Sequence, residues 1–517
     1  MRSRAFVWAK RGARRGSLPG GLAASLVAAW TGVAAQEPDP TAMGAREGIT
    51  PGKVVERVIS TADTSQSWAV YVPGRYDPGR AWPILFVMDP RGRALLPLER
   101  LIEPAERYGY VVMSSWNTAS DFLGPDPNEP ALAAMLEDAQ RLFRLDGRRL
   151  YLVGFSGTAR TAWSLTTRLT GHVAGIIGVG GGLPPPLYEA DLSPLREHAG
   201  FGFYGLAGTR DFNHDDMWRV AELLDRHGIA NGLAIFEGPH TWAPAELLAQ
   251  AIDWMELRAM RTGLRPVDPL LVDSLWERRN TRARERAEAG ELVEAWREYD
   301  ALGHDFEGLV DVGAARREAD RLRATKAVAE GVARRKALRD RFWAVVDRLD
   351  DILFHVRLRL WKPDPDRLAD QLGLEALLAE AEDPGDPLAA AAALRVLEHV
   401  FVNVAFYEPR TLIPEGRIDE ALAMLDVAER IFRERPQVCL FRARAFAAAE
   451  RADDAVAAVR CALEAGLPAR ALADDPGLES LRELEAFRAL LGAGSGRVHE
   501  VSQRADGNFG RTPAWGP

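Results

Sequence analysis

Cysteine is almost absent from this 517-residue chain. Only Cys439 and Cys461 occur, which excludes a disulfide framework or a cysteine-rich zinc site. Buried cysteine is a common small apolar filler, and that reduced reading is preferred here over a bond between the two. Their places at the open end of a helical hairpin leave the bond as the alternative. Long apolar runs are also lacking. Beyond the N-terminus no 18 uninterrupted apolar residues occur, so no membrane-spanning helix is expected in the processed chain. Positive charge is in deficit, with 65 Lys and Arg against 74 Asp and Glu, a formal charge of −9. Six of the basic residues lie in the first 35, which hold no acid, so losing that segment takes the charge to about −15. Such an acidic chain, with no basic patch outside the N-terminus, disfavours a nucleic-acid partner.

What is present begins with an export pattern. A basic stretch containing Arg2, Arg4, Lys10, Arg11, Arg14 and Arg15 precedes the apolar run Leu18–Trp30, and Val33-Ala34-Ala35 forms a small-x-small cleavage site. Residues 1–35 are therefore expected to be a signal peptide, with a periplasmic or secreted destination. An uncleaved anchor and a twin-arginine signal are the weaker alternatives. Residues 36–52, rich in Pro, Gly and acids, read as a linker.

From 53 to 264 short β-branched runs alternate with amphipathic stretches. Strands are predicted at Val54–Ser60, Trp68–Val72, Ile84–Met88, Val111–Ser115, Leu150–Gly154, Val173–Val179, Gly202–Leu206 and Leu233–Phe236. Helical patterns between them include 131–145, 216–227 and 244–258. Alternation of this kind gives an α/β class with a mostly parallel, eight-stranded sheet covered on both faces. From 265 to 492 the strand signal vanishes, and apolar residues step by three and four. Ala421 and Ala455 stand 34 residues apart in similar settings, and Ala289–Trp296 shares their grammar. That is the period of a tetratricopeptide repeat, where small residues let paired helices approach; an irregular helical bundle is the alternative. The tail 493–517 has little apolar content and is expected to be disordered.

The chemistry is concentrated in three places. Leu150–Gly154 runs as a strand into Gly154-Phe155-Ser156-Gly157-Thr158 and then a helical pattern. This is the setting of a nucleophile elbow, in which a strained turn lifts the serine Oγ out of the sheet. Thr158 stands where glycine is usual. Downstream, Gly202–Leu206 leads to Gly208-Thr209-Arg210-Asp211, and Leu233–Phe236 leads to the loop residue His240. A serine, then an acid, then a histidine, each after a strand, is the chain order of this architecture. Ser156 is assigned as nucleophile, His240 as general base and Asp211 as the group that orients the imidazole. Asp215 and Asp216 compete for the acid role but lie where helix-start acids are common. His214 does not follow a strand, and His172, His198 and His227 read as surface residues. A metal at His214-Asp215-Asp216 is disfavoured by the adjacency of the ligands. Oxyanion donors are expected from the N–H of Gly157 and from the loop after the third strand, with Arg91 preferred and Gly92 as alternative. The same Asp89–Arg93 stretch reads equally well as a purely structural turn.

Together with Trp68–Pro73 and Gly109–Val112, these motifs resemble the polyhydroxybutyrate-depolymerase/feruloyl-esterase-like branch of the α/β-hydrolases, over about residues 50–260. The resemblance implies a carboxylic-ester substrate and neither metal nor organic cofactor. No large insertion separates the sixth and seventh strands, so an open site compatible with a bulky or polymeric ester is expected. A peptidase or amidase using the same triad is the runner-up. A vestigial hydrolase, with a protein partner held on the helical repeats, is a reading of another class.

Overall fold

In a computed structural model of the chain, residues 48–120, 122, 125–169, 171–198, 200–433 and 435–492 are described. The expected signal peptide, most of the linker and the expected disordered tail lie outside the described residues.

All eight expected strands form one sheet: β1 (Val54–Ile59), β2 (Ser67–Tyr71), β3 (Trp82–Met88), β4 (Val111–Ser115), β5 (Leu145–Phe155), β6 (Val173–Val179), β7 (Gly202–Gly208) and β8 (Asn231–Phe236). Their order across the sheet is β1-β2-β4-β3-β5-β6-β7-β8. β1 and β2 pair antiparallel, as do β2 and β4, while every later pair is parallel. The exposed edge strand β1 is only half-buried, whereas β3, β6 and β7 are buried at every position. Continuous apolar strands of that kind need cover on both faces.

Among the described residues six α-helices accompany the sheet: α1 (Leu95–Tyr108), α2 (Asn128–Leu142), α3 (Gly157–Arg168), the short α4 (Ser193–Glu197), α5 (His214–Arg226) and α6 (Ala245–Arg261). One face packs Met135 of α2, Trp163 of α3 and Met217 of α5 against Phe86, Leu152 and Phe203. The other packs Leu98 and Leu101 of α1 and Leu248 and Met255 of α6 against Leu85, Val153 and Leu206. Strand order and cover together make this an α/β-hydrolase sheet, with the loops that follow β3, β5, β7 and β8 collected along one edge.

Contacts divide the chain into two units that part between Lys336 and Ala337. The first therefore extends past the strand-bearing segment to include α7 (Pro269–Glu288), α8 (Leu292–Asp305), α9 (Gly313–Arg323) and the start of α10 (Lys326–Arg357). Leu257 and Met260 of α6 share a core with Val272, Leu275, Leu302 and Phe306. Arg279 of α7 binds Glu298 at 2.9 Å and Asp305 at 2.7 Å, and Trp254 Nε1 of α6 donates to Asp305 at 2.9 Å.

The second unit is helical throughout its described residues. It holds the rest of α10, then α11 (Pro365–Leu372), α12 (Leu374–Ala381), α13 (Pro387–Val402), α14 (Glu408–Leu412), α15 (Ile418–Ile431), α16 (Pro436–Ala448), α17 (Ala452–Glu464) and α18 (Ala469–Ala473). Ala421 on α15 and Ala455 on α17 are both fully buried. Among the described residues one stretch, Pro387–Leu412, is long and apolar enough to cross a membrane by length and composition. Its most apolar window is 56 % buried inside the fold, because Val396, Leu397 and Val400 serve the helical core.

The two cysteines depart from the preferred reading. Cys439 on α16 and Cys461 on α17 form a disulfide, with Cα atoms 5.7 Å apart. Alanines make this possible: Ala443, Ala447, Ala455, Ala458 and Ala462 share the buried seam, and with only methyl groups between them the helices approach within disulfide range. Alkylation of the purified protein without reduction is expected to leave both thiols unmodified, as mass spectrometry would show. Two alkylated thiols would contradict the bond. With the cysteines 22 positions apart, the crosslink contributes about 3 kcal/mol to the unit on the chain-entropy scale.

Candidate active site

The site grows from the strained end of β5. Ser156 has φ 54° and ψ −125°, a conformation that costs a non-glycine residue about 1–3 kcal/mol. It persists because the flanking packing leaves no alternative. A Cβ on Gly154 would come within 2.6 Å of the Thr158 carbonyl and the Ala159 amide, so the strand and the first turn of α3 are pressed together there. Thr158, the departure from the usual glycine, is accommodated rather than crowded. It is fully buried, its hydroxyl proton is shared between the carbonyls of Met88 (2.7 Å) and Phe155 (2.8 Å), and its oxygen accepts from Phe155 N at 3.1 Å. The side chain thus ties the elbow to the end of β3.

Ser156, His240 and Asp211 come together from three loops. Ser156 Oγ lies 2.9 Å from His240 Nε2, and His240 Nδ1 lies 2.8 Å from Asp211 Oδ1. The arrangement is consistent with Ser156 donating to Nε2 and the Nδ1–H donating to the carboxylate. The imidazole is held between the rings of Phe155 and Phe212, with centroids at 4.6 and 4.3 Å, so it has little room to turn. Asp211 is fully buried. Its Oδ1 also accepts from Asn213 N at 2.8 Å, while Oδ2 has no hydrogen-bond partner among the described residues. Through Oδ1 the carboxylate fixes the orientation of the imidazole at Nδ1.

The competing acids sit elsewhere. Asp215 and Asp216 occupy the first turn of α5. Asp216 accepts from Tyr188 at 2.5 Å and lies 3.4 Å from the Arg160 guanidinium. Burial, reinforced by the Asp216 charge, keeps the Tyr188 phenol protonated well above its usual range. His214 Nδ1 faces the Gly208 carbonyl at 3.0 Å, and Nε2 accepts from Trp218 Nε1 at 3.2 Å. Both ring nitrogens are thus engaged within the protein.

The two expected oxyanion donors fare differently. Gly157 N–H opens α3 and makes no hydrogen bond within the described residues. Arg91 N–H, by contrast, is donated to Asp89 Oδ1 at 2.8 Å, and Gly92 N–H to Asp89 O at 3.1 Å. The stretch after β3 is therefore the structural turn that its sequence equally allowed. Fully buried Asp89 is its centre, also binding Arg93 at 3.0 Å and accepting from Trp242 Nε1 at 2.7 Å. Because Trp242 lies two residues beyond His240, one carboxylate braces both the β3 loop and the histidine loop. Sequence reading gave Asp89 only a turn role; the signal that could have found the link, a lone buried-type Trp after the histidine, carries no partner information by itself.

Ser156, His240 and buried Asp211 thus stand in relay on an α/β-hydrolase sheet, an arrangement able to pass a proton from a serine hydroxyl to an imidazole. No protein-family model and no curated protein matches the sequence. Among solved structures, the chain is similar to a ferulic acid esterase at 14 % identity, with a TM-score of 0.34 over 40 % of this chain and 98 % of that one. It is similar to the fluorophosphonate-binding serine hydrolase F of Staphylococcus aureus at 14 % identity, with a TM-score of 0.33 over 40 % and 98 %. A third is Est1E from Butyrivibrio proteoclasticus, at 10 % identity, with a TM-score of 0.30 over 40 % and 99 %.

Proposed function

We propose that the protein is an exported serine esterase that cleaves carboxylic esters through an acyl-enzyme on Ser156. The observation that carries this reading is the relay of 2.9 and 2.8 Å from Ser156 through His240 to Asp211, at a serine held in a strained elbow. Ser156 Oγ attacks the ester carbonyl while its proton passes to His240 Nε2. The imidazolium, paired with Asp211, returns that proton to the departing alkoxide. Water then enters by the same relay, its proton taken by His240 as its oxygen attacks the acyl carbon, and Ser156 leaves reprotonated. Export is supported by the N-terminal pattern and by the Cys439–Cys461 bond, since disulfides persist in oxidising compartments.

A fluorophosphonate probe is expected to label the wild-type protein and not Ser156→Ala. Turnover of p-nitrophenyl esters is expected to exceed that of aminoacyl anilides in kcat/KM. The reverse preference would make the protein a peptidase, and a wild-type chain inert to the probe would leave the scaffold reading.

A further inference from the structure

Acyl transfer by the relay above requires donors for the oxyanion, and a single N–H is less than this chemistry generally uses. Gly157 N–H supplies one, at the positive end of α3. The β3 loop, which would supply the second, has none to give. Pro90 lacks an N–H, Arg91 N–H and Arg93 N–H are bound to Asp89 Oδ1 at 2.8 and 3.2 Å, and Gly92 N–H is bound to Asp89 O at 3.1 Å. Nor can Asp89 swing aside to release them, because Arg93 and Trp242 hold both of its oxygens.

A hydroxyl from another loop lies against Gly157. Ser120, in the loop after β4, is packed directly onto Gly157: a Cβ built on Gly157 would overlap Ser120 Cβ and lie 3.1 Å from its Oγ. The segment is pinned in place, with Ser120 N donating to Pro90 O at 3.1 Å and Thr118 Oγ1 to Asp89 O at 2.9 Å. Ser120 is partly exposed, and its hydroxyl makes no hydrogen bond with any described residue. A hydroxyl with a free proton, held against the residue that carries the first donor, has the chemistry of an oxyanion donor.

We propose that Ser120 Oγ–H is the second donor of the oxyanion hole, completing with Gly157 N–H the site that stabilises the tetrahedral intermediate. The proposal rests on the esterase reading given above. It is tested in the full-length protein with Ser120→Ala and Ser120→Thr, using a p-nitrophenyl ester as substrate and an aryl trifluoromethyl ketone as tetrahedral adduct former. Ser120→Ala is expected to lower kcat by about 10- to 1,000-fold with KM changed by less than about threefold. The ketone's inhibition constant is expected to rise in parallel, fluorophosphonate labelling to remain on Ser156, and Ser120→Thr to recover most of the loss. Unchanged kcat in Ser120→Ala overturns the proposal, as does a fall in kcat with ketone affinity intact. If the wild-type protein neither hydrolyses the ester nor takes the probe, the esterase reading itself fails and the proposal with it.

Discussion

Ser156→Ala and His240→Ala are each expected to lower kcat for ester hydrolysis by about four to six orders of magnitude, and the double variant hardly further. The reason is that the two act as one unit: without the imidazole at 2.9 Å the serine keeps its proton, and without the serine the imidazole has nothing to activate. Asp211→Asn is expected to cost about 10⁴-fold, since an amide facing His240 Nδ1 permits the wrong tautomer and cannot balance the imidazolium. Asp215→Asn, in the first turn of α5, is expected to change kcat by less than about tenfold. Steady-state kinetics on a p-nitrophenyl ester decide the matter. A crippled Asp215→Asn beside an active Asp211→Asn would move the acid role to α5.

The sheet was legible because its strands are short, apolar and separated by turn residues; all eight appear within a few residues of their expected bounds. The principal miss in length is β5, which begins at Leu145 rather than Leu150. Asp146-Gly147-Arg148-Arg149 reads as polar loop, yet backbone pairing with β3 at Trp82 extends the strand through it. Relay residues were legible because each follows a strand in a fixed chain order, which is local information. What could not be read depends on which long-range partner a polar group finds. Whether the Arg91 amide is free turns on the rotamer of Asp89, and that is set by Trp242, 153 residues away. Packing of Ser120 onto Gly157 joins two loops that share no sequence pattern. The disulfide was underrated for a similar reason, since helix separation depends on how many alanines face one another across the seam.

Ending the chain at Leu264, where the strand-bearing pattern stops, is expected to leave a markedly unstable protein, whereas ending it at Lys336 is not. Leu257 and Met260 are buried beneath α7–α9, and uncovering both costs about 3–6 kcal/mol at roughly 1.5–3 kcal/mol for each large side chain. The cut also removes Asp305 from Trp254 Nε1, Arg278 from Asp253 and Arg265 from Glu256, which strips buried polar groups of partners they were folded against. Set against a typical total of about 5–15 kcal/mol, that loss is a large share of the stability of the first unit. At roughly 2–4 °C per kcal/mol for a domain of this size, Tm is expected to fall by about 10–20 °C. Ser156, Asp211 and His240 all lie outside the uncovered surface, so whatever fraction of the shorter chain stays folded is expected to keep the full chain's kcat. Thermal unfolding of the two truncations, followed by circular dichroism, with active sites titrated by the fluorophosphonate probe, separates these effects. Equal Tm values for the two would mean that α7–α9 are dispensable to the sheet-bearing core.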